Sequence, residues 1–452
     1  MKNISTFCAL LTATVLAISP SSAQADNHKE YEQASTLEEA LLDGQFDGRL
    51  RYRYQFLDVE GFTDEGQAST LQTLLKYETK PIAGVSVLGE VRSVQRIGAS
   101  NLQNDSLNDN TSRPAIPDPD AFEIDQLLVK VRDFVPDTQA TFGRRKINLN
   151  NQRFISILGF RQSSNSFDGL FLENWSLPDT RLLYSYSYNF NRAFTDDSPV
   201  GNFDSSEIHL FHAEHKFADW LQFVGYGYLL GIDEDAFDPP ADNSEQFATN
   251  TYGFNLKGDY PLNDDWTAHY DFEFAHQTDN AESPDEFSLN YYRFVPGVSY
   301  KNWRFNLGYE SLEGDGTNGF STPFALLHAF NGYADVFVPF TPAEGFEDFY
   351  VNATYSIKET PFKIAGYDVF GNSKLRLAYH TFDFENSGGS IGDEIDISFK
   401  KKIRDDLAIN FEYAHYRTDF DGVVSGTNIS AAGTPLFNRD IDQFYVALIY
   451  NF

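Results

Sequence analysis

Two groups of residues in this sequence have types and spacing that could carry chemistry: the histidines His209, His212 and His215, and the alternating arginines Arg49, Arg51 and Arg53. Converging histidines would bind a metal. On an extended strand, however, His212 points away from the other two, and His209 and His215 stand ~20 Å apart, too far for one ion to bridge. No G-x-S-x-G, phosphate-binding, H-E-x-x-H or dinucleotide fingerprint occurs, so no catalytic residue and no metal ligand is predicted. The arginines point to a different chemistry. At every second position their guanidinium forks share one face, where they can grip carboxylates in bidentate fashion. By the same parity Lys76, Arg92, Arg181, Lys257, Arg304, Lys374 and Arg376 fall on that face, together with Glu78, Glu90, Asp271, Glu273, Glu394, Asp396 and Glu412.

Such a face needs extended chain to carry it, and the sequence alternates accordingly. Leu50, Tyr52, Tyr54 and Phe56 oppose the three arginines, and Leu182, Tyr184, Tyr186, Tyr188 and Phe190 oppose Ser185, Ser187, Asn189 and Asn191. Trp303, Phe305, Leu307 and Tyr309 repeat the pattern against Arg304, Asn306 and Glu310. Stretches of about 9–11 residues with period two suit tilted membrane strands. After residue 25 nothing approaches the ~18 apolar residues of a spanning helix.

A soluble β-sandwich would alternate too, so the connections decide. Roughly 18 strand candidates run from 48 to 452. Long linkers at 58–68, 96–121, 148–166, 192–206, 232–249, 278–288, 313–347, 384–392 and 418–441 alternate with tight turns, 358–371 being long on the short side. Phe444, Val446, Leu448, Tyr450 and Phe452 form a final apolar face ending on an aromatic residue, which resembles the signal read by the outer-membrane barrel assembly machinery. The predicted fold is an all-β transmembrane antiparallel barrel of about 18 strands, with long extracellular loops and short periplasmic turns. Closure leaves no free edge.

Composition agrees. The 452 residues hold 66 acidic and 34 basic side chains, a net charge of -32, which excludes nucleic-acid binding by the surface at large. A mean hydropathy of -0.40 is what a barrel with only alternate residues in lipid produces. The 42 Phe and 25 Tyr suit interfacial girdles. Lys2, the apolar run from Phe7 to Ile18 and Ala23-Gln24-Ala25 read as a secretory signal peptide over 1–25. Cys8, the only cysteine, lies inside it. Residues 26–47 are predicted to form a periplasmic N-terminal segment, and 48–452 the barrel in the outer membrane of a Gram-negative bacterium.

Two blocks carry a family resemblance. One runs Gly143-Arg144-Arg145-Lys146-Ile147-Asn148-Leu149, then Asn151-Gln152-Arg153-Phe154, then Phe160-Arg161-Gln162-Ser163-Ser164-Asn165-Ser166-Phe167-Asp168-Gly169. The other runs from Leu326 through His328, Asn331, Gly332, Tyr333 and Asp335 to Phe337, followed by Thr341-Pro342, Gly345 and Asp348. Together they resemble the motifs of the alginate export family of outer-membrane porins. The resemblance implies an arginine-lined conduit for a polyuronate such as alginate, with Arg144, Arg153, Arg161 and Asp168 in the lumen or constriction. Strand parity leaves open whether Arg144 or Arg145 faces inward.

The functional expectation is a passive aqueous channel for anionic solutes, alginate or related uronate saccharides, with Arg49, Arg51, Arg53, Arg92, Arg144, Arg153, Arg161, Asp168, Arg304 and Arg376 along the conduit. The alternatives are a general nutrient porin, or a secreted β-rich protein that binds or cleaves polysaccharide. Expected partners are outer-membrane lipid and lipopolysaccharide, the assembly machinery through Phe452, and an anionic saccharide. No cofactor is expected beyond weak Ca2+ binding at the acidic loops Asp118-Pro119-Asp120, Asp233 to Asp238 and Asp315-Gly316.

Overall fold

The computed structural model describes residues 32–452 apart from positions 109, 205, 234–235, 237–243, 282, 338–340, 365 and 421–435. The signal peptide predicted over 1–25, and Glu234, Asp235 and Asp238 of the acidic loop, lie outside the described residues.

The chain is an antiparallel barrel of 18 strands. In order they are β1 (Gln45–Val59), β2 (Gly66–Glu78), β3 (Val85–Arg96), β4 (Ala121–Arg132), β5 (Thr138–Arg145), β6 (Ser166–Asn174), β7 (Thr180–Asn191), β8 (Glu207–Ala218) and β9 (Leu221–Gly231). There follow β10 (Thr249–Pro261), β11 (Trp266–Asp279), β12 (Ser288–Phe294 continued by Gly297–Tyr300), β13 (Trp303–Leu312), β14 (Phe346–Ile357), β15 (Ser373–Asp383), β16 (Ser390–Arg404), β17 (Leu407–Thr418) and β18 (Ile441–Asn451). Each pairs with the next, and β18 pairs with β1, so no edge remains. β12 is interrupted at Pro296, which has no N–H to give the ladder, while Val295 still exchanges hydrogen bonds with Asp271.

The seam is tight. Phe452 N–H donates to the Gly48 carbonyl at 2.9 Å and Gly48 N–H to the Phe452 carbonyl at 2.7 Å. The Phe452 ring lies so close over Gly48 that a Cβ there would meet a ring carbon at 2.3 Å.

The alternation sets the two faces. In β1, Arg51, Arg53 and Gln55 are buried toward the lumen, while Leu50, Tyr52 and Tyr54 are more open on the outer side. Long connections at 97–120, 146–165, 192–206, 232–248, 313–345 and 419–440 lie at one end. Two connections expected to be long are short, 60–65 and 384–389, because β1, β2, β15 and β16 keep pairing almost to their tips. All four tryptophans, Trp175, Trp220, Trp266 and Trp303, flank turns at the opposite end. With Tyr300 and Tyr355, whose rings lie 4.5 Å from Trp266 and 4.6 Å from Trp303, they mark one membrane interface. Short turns and both ends of the barrel assign that side to the periplasm.

There the helix α1 (Leu37–Leu42) docks on the rim. Thr36 Oγ1 caps it by accepting from Glu39 N–H, and the Glu39 carboxylate reaches back to Ser35 N–H and to Lys80. Tyr77 Oη donates to the Leu41 carbonyl from the outer face of β2, so the helix sits on the rim.

Candidate functional site

The lumen is narrowed from the extracellular side by in-folded connections. Aromatic residues hold the 146–165 and 313–345 loops to the wall: Phe324 lies 3.9 Å from Phe190 and 5.6 Å from Phe167, and Phe154 sits among Tyr226, Tyr291 and Phe320. Burying such rings stabilises by about 1.5–3 kcal/mol each, which is what lets loops this long hold one shape.

Guanidinium groups fix the loops in register. Arg51 donates to Gln162 Oε1 and the Gly159 carbonyl, both at 2.8 Å, and to the Arg161 carbonyl. Arg53 pairs with Asp118 at 2.9 Å, donates to the Phe160 carbonyl, and is sandwiched between the rings of Phe160 and Tyr445. Asp118 also accepts from Gln162 N–H. Arg92 is held by Glu123, by Asp125 at 2.7 Å and by Ser163. Arg153 reaches across the lumen to Glu310 at 2.8 Å and Asn331 at 3.2 Å. Arg53, Arg92 and Arg153 are each 1% exposed and opposed by carboxylate, so they brace the loops and offer no charge to a passing solute.

Sequence comparison gives no family: no family model matches the chain, and no characterised protein matches it by sequence. Comparison of structures gives a fold. The chain is similar to OpdK of Pseudomonas aeruginosa, solved with vanillate, at 16% identity and a TM-score of 0.65, covering 91% of this chain and 98% of that one. It is similar also to OccAB2 of Acinetobacter baumannii (12%, TM-score 0.66, 91% and 99%) and to P. aeruginosa OpdO (13%, TM-score 0.63, 92% and 98%). These are outer-membrane porins of the OprD/Occ group. The fold is that of an outer-membrane porin.

In a porin fold the relevant cations are those left facing water. Arg161 and Arg376 have only long carboxylate contacts, 3.9 Å to Asp335 and 3.7 Å to Asp396, with side chains 14% and 24% exposed. Arg376 lies over the ring of Tyr333, so one stretch of the 313–345 loop meets both guanidinium groups. Lys400, 3.0 Å from Glu412, is nearby. Toward the periplasm Arg304 bonds Asn306 and Arg49 bonds Asn451, neither with a carboxylate within 4 Å among the described residues.

Arg144 and Asp168 do not fit the lumen placement that the family resemblance implied. Arg144 stands opposite Leu127 and Asp168, on the face of exposed Phe142, which is the outer side of the wall. There the two close a bidentate pair at 2.9 and 3.0 Å, supported by Asn189. Arg145 is the inward residue, 2.7 Å from Glu173 and over Phe171. Parity could not decide this because Gly143 takes φ +124 and the β6–β7 register slips at Asp168.

Lys400 was reachable by parity from Asp396 and Ser398. Tyr333 stands in the second motif block but was given no role, and Arg293 was not singled out; Arg293, 2.8 Å from Asp271, faces Phe330 of the in-folded loop, a contact that leaves no periodic trace. His212 points away from His209 and His215 as expected, and its ring bonds Tyr228 and Glu214. Among the described residues no group of three or more His, Cys, Asp or Glu side chains is arranged to hold a metal. Asp118 and Asp120 are engaged by Arg53 and by Arg96 N–H, and Asp315 accepts two backbone N–H groups of its own turn.

Among the groups of the in-folded loops, Arg161 and His328 have pKa values moved from their ordinary ones. Burial and the nearby Arg53 lower the pKa of Arg161. Burial works against the charge of His328, but Asp335 at 3.0 Å and Glu412 at 3.1 Å outweigh it and raise its pKa.

Proposed function

We propose that the barrel is a passive channel for carboxylated solutes, narrowed at Arg161, Arg376 and Tyr333 and continued toward the periplasm by Arg304 and Arg49. The observation that carries this reading is a division among the arginines: Arg53, Arg92 and Arg153, which brace the loops, are neutralised by carboxylates at close range, whereas Arg161, Arg376, Arg304 and Arg49 are not. A guanidinium at a constriction partly replaces the hydration of a carboxylate by bidentate bonds, and the Tyr333 ring offers a stacking surface beside it. OpdK, similar in fold, was solved with the aromatic carboxylate vanillate, which suits such a site. Uronate oligosaccharides, expected from the sequence resemblance, carry the same carboxylate on each sugar and form the second substrate class under this reading.

Planar-bilayer recording tests it. Anion preference in a KCl gradient, with concentration-dependent block by benzoate-type acids or galacturonate oligomers, is expected. A channel that prefers cations, or that neither class of carboxylate blocks, would support a general porin instead.

A further inference from the structure

The connection between β14 and β15, 358–372, is the one long excursion on the periplasmic side. It forms a small hairpin in which Lys363–Ile364 pairs with Tyr367–Asp368. Asp368 ties its base: its carboxylate accepts from Thr360 N–H and Oγ1, both at 2.6 Å, and from Phe370 and Gly371 N–H. These bonds hold its pKa well below the usual carboxylate range. The hairpin is therefore a built element, yet Phe362, Ile364 and Phe370 are 53%, 60% and 45% exposed.

Its position follows from register. Lys401 stands opposite Ser373, in the row of Phe399, Ile397, Leu375 and Leu377, which face lipid. Lys401 Nζ donates to the carbonyls of Asp368, at 2.9 Å, and Gly371. Ser373, although on the outer face, is only 3% exposed and donates to the Phe370 carbonyl, so the hairpin lies over it. The hairpin thus continues the outer wall downward, at the level marked by Trp303 and Tyr355. Lys358 and Lys363 are exposed beside the apolar tip, and Lys363 pairs with exposed Glu359 at 3.4 Å, a surface pair weak enough to open toward a phosphate.

We propose that this hairpin is an anchor seated in the periplasmic leaflet, with Phe362, Ile364 and Phe370 among the upper acyl chains and Lys358 and Lys363 at the phospholipid phosphates. The rigid base presents the apolar side chains already ordered, so insertion costs little conformational freedom. The stems of the lysines lie along the apolar surface while their ammonium groups reach the headgroups.

The test uses the full barrel in vesicles of phosphatidylethanolamine and phosphatidylglycerol, in a Cys8→Ser background, with nitroxide attached at Phe362→Cys, Ile364→Cys or Phe370→Cys. Leu377→Cys in the lipid-facing wall and Thr317→Cys in an extracellular loop calibrate the scale. Heat-modifiable gel mobility verifies folding of each variant, and the three reporter positions provide redundancy. The expected result is an oxygen-to-nickel-chelate accessibility ratio severalfold above that of Thr317→Cys and close to that of Leu377→Cys at two or more of the three sites. Ratios equal to that of Thr317→Cys would place the tip in water and overturn the proposal. Spin–spin broadening that disappears on dilution with unlabelled protein would assign the tip to a second copy, and overturn it equally.

Discussion

Replacing Arg161 and Arg376 together by glutamine tests the conduit where its electrostatics are least compensated. A monovalent ion passing ~5 Å from a guanidinium gains or loses about 0.8 kcal/mol at the dielectric of water. Screening at physiological salt, with a Debye length of ~8 Å, reduces this to roughly half. Each arginine then enriches anions about twofold and depletes cations about twofold, an effect of about fourfold on the anion-to-cation ratio. If the two sites act independently, the double variant loses roughly 16-fold in selectivity, and more at low salt. Reversal potentials across a bilayer with unequal KCl read this directly. Asp335→Asn and Asp396→Asn remove the only carboxylates within 4 Å of these guanidinium groups among the described residues, so both should shift the potential toward stronger anion preference. A double arginine variant with unchanged reversal potential at low salt would refute the assignment of these residues to the permeation path.

Arg153→Ala leaves Glu310 buried without its partner, so a loss of about 3–5 kcal/mol is expected, seen as a lower temperature for the heat-modifiable gel transition and as noisier conductance. Glu310→Gln with Arg153→Met should recover most of it. Gly143→Ala would put a Cβ 2.3 Å from the Leu127 carbonyl oxygen at φ +124, and should cost about 1–3 kcal/mol or more by the same gel assay. His328 supplies a pH dependence. Its folded pKa is raised above 6.5, so its contribution to seating the 313–345 loop is complete below the unfolded value and fades as pH rises through the higher folded one. Protease sensitivity of that loop should therefore increase as pH climbs past about 6.5, and His328→Gln should abolish the dependence. A wild-type loop equally protected from acid to alkaline pH would count against it.

The wall of the barrel was legible because each strand repeats one rule: alternate residues meet lipid. Leu50, Tyr52 and Tyr54 against Arg51 and Arg53 place β1 and its faces without any tertiary information. The same rule found Arg304 and Arg376. It failed at Arg144, where Gly143 and the slip at Asp168 break the period, and at the tips of β1, β2 and β16, which pair farther than their polarity suggests. It was silent about which arginines are neutralised. That depends on Asp118, Glu310 and Asp335 arriving from loops distant in sequence, and those loops fold inward to bury single aromatic side chains such as Phe154 and Phe324 that follow no period.

The seam between Gly48 and Phe452 has a consequence for assembly. Every other ladder in the wall joins neighbours in the chain and can form as a local hairpin, whereas this one joins residues at opposite ends of the barrel. Until it forms, β1 and β18 both offer raw edges to any other strand. The entropy of bringing such distant segments together grows only with the logarithm of the intervening length, so closing the seam is thermodynamically affordable but late. It also counts. Arg49 meets Asn451 only if every intervening register is correct, and a net slip of one residue would bring Arg51 and Arg53 level with partners that face lipid. The clasp therefore works as a checksum: the barrel locks only when the whole wall adds up.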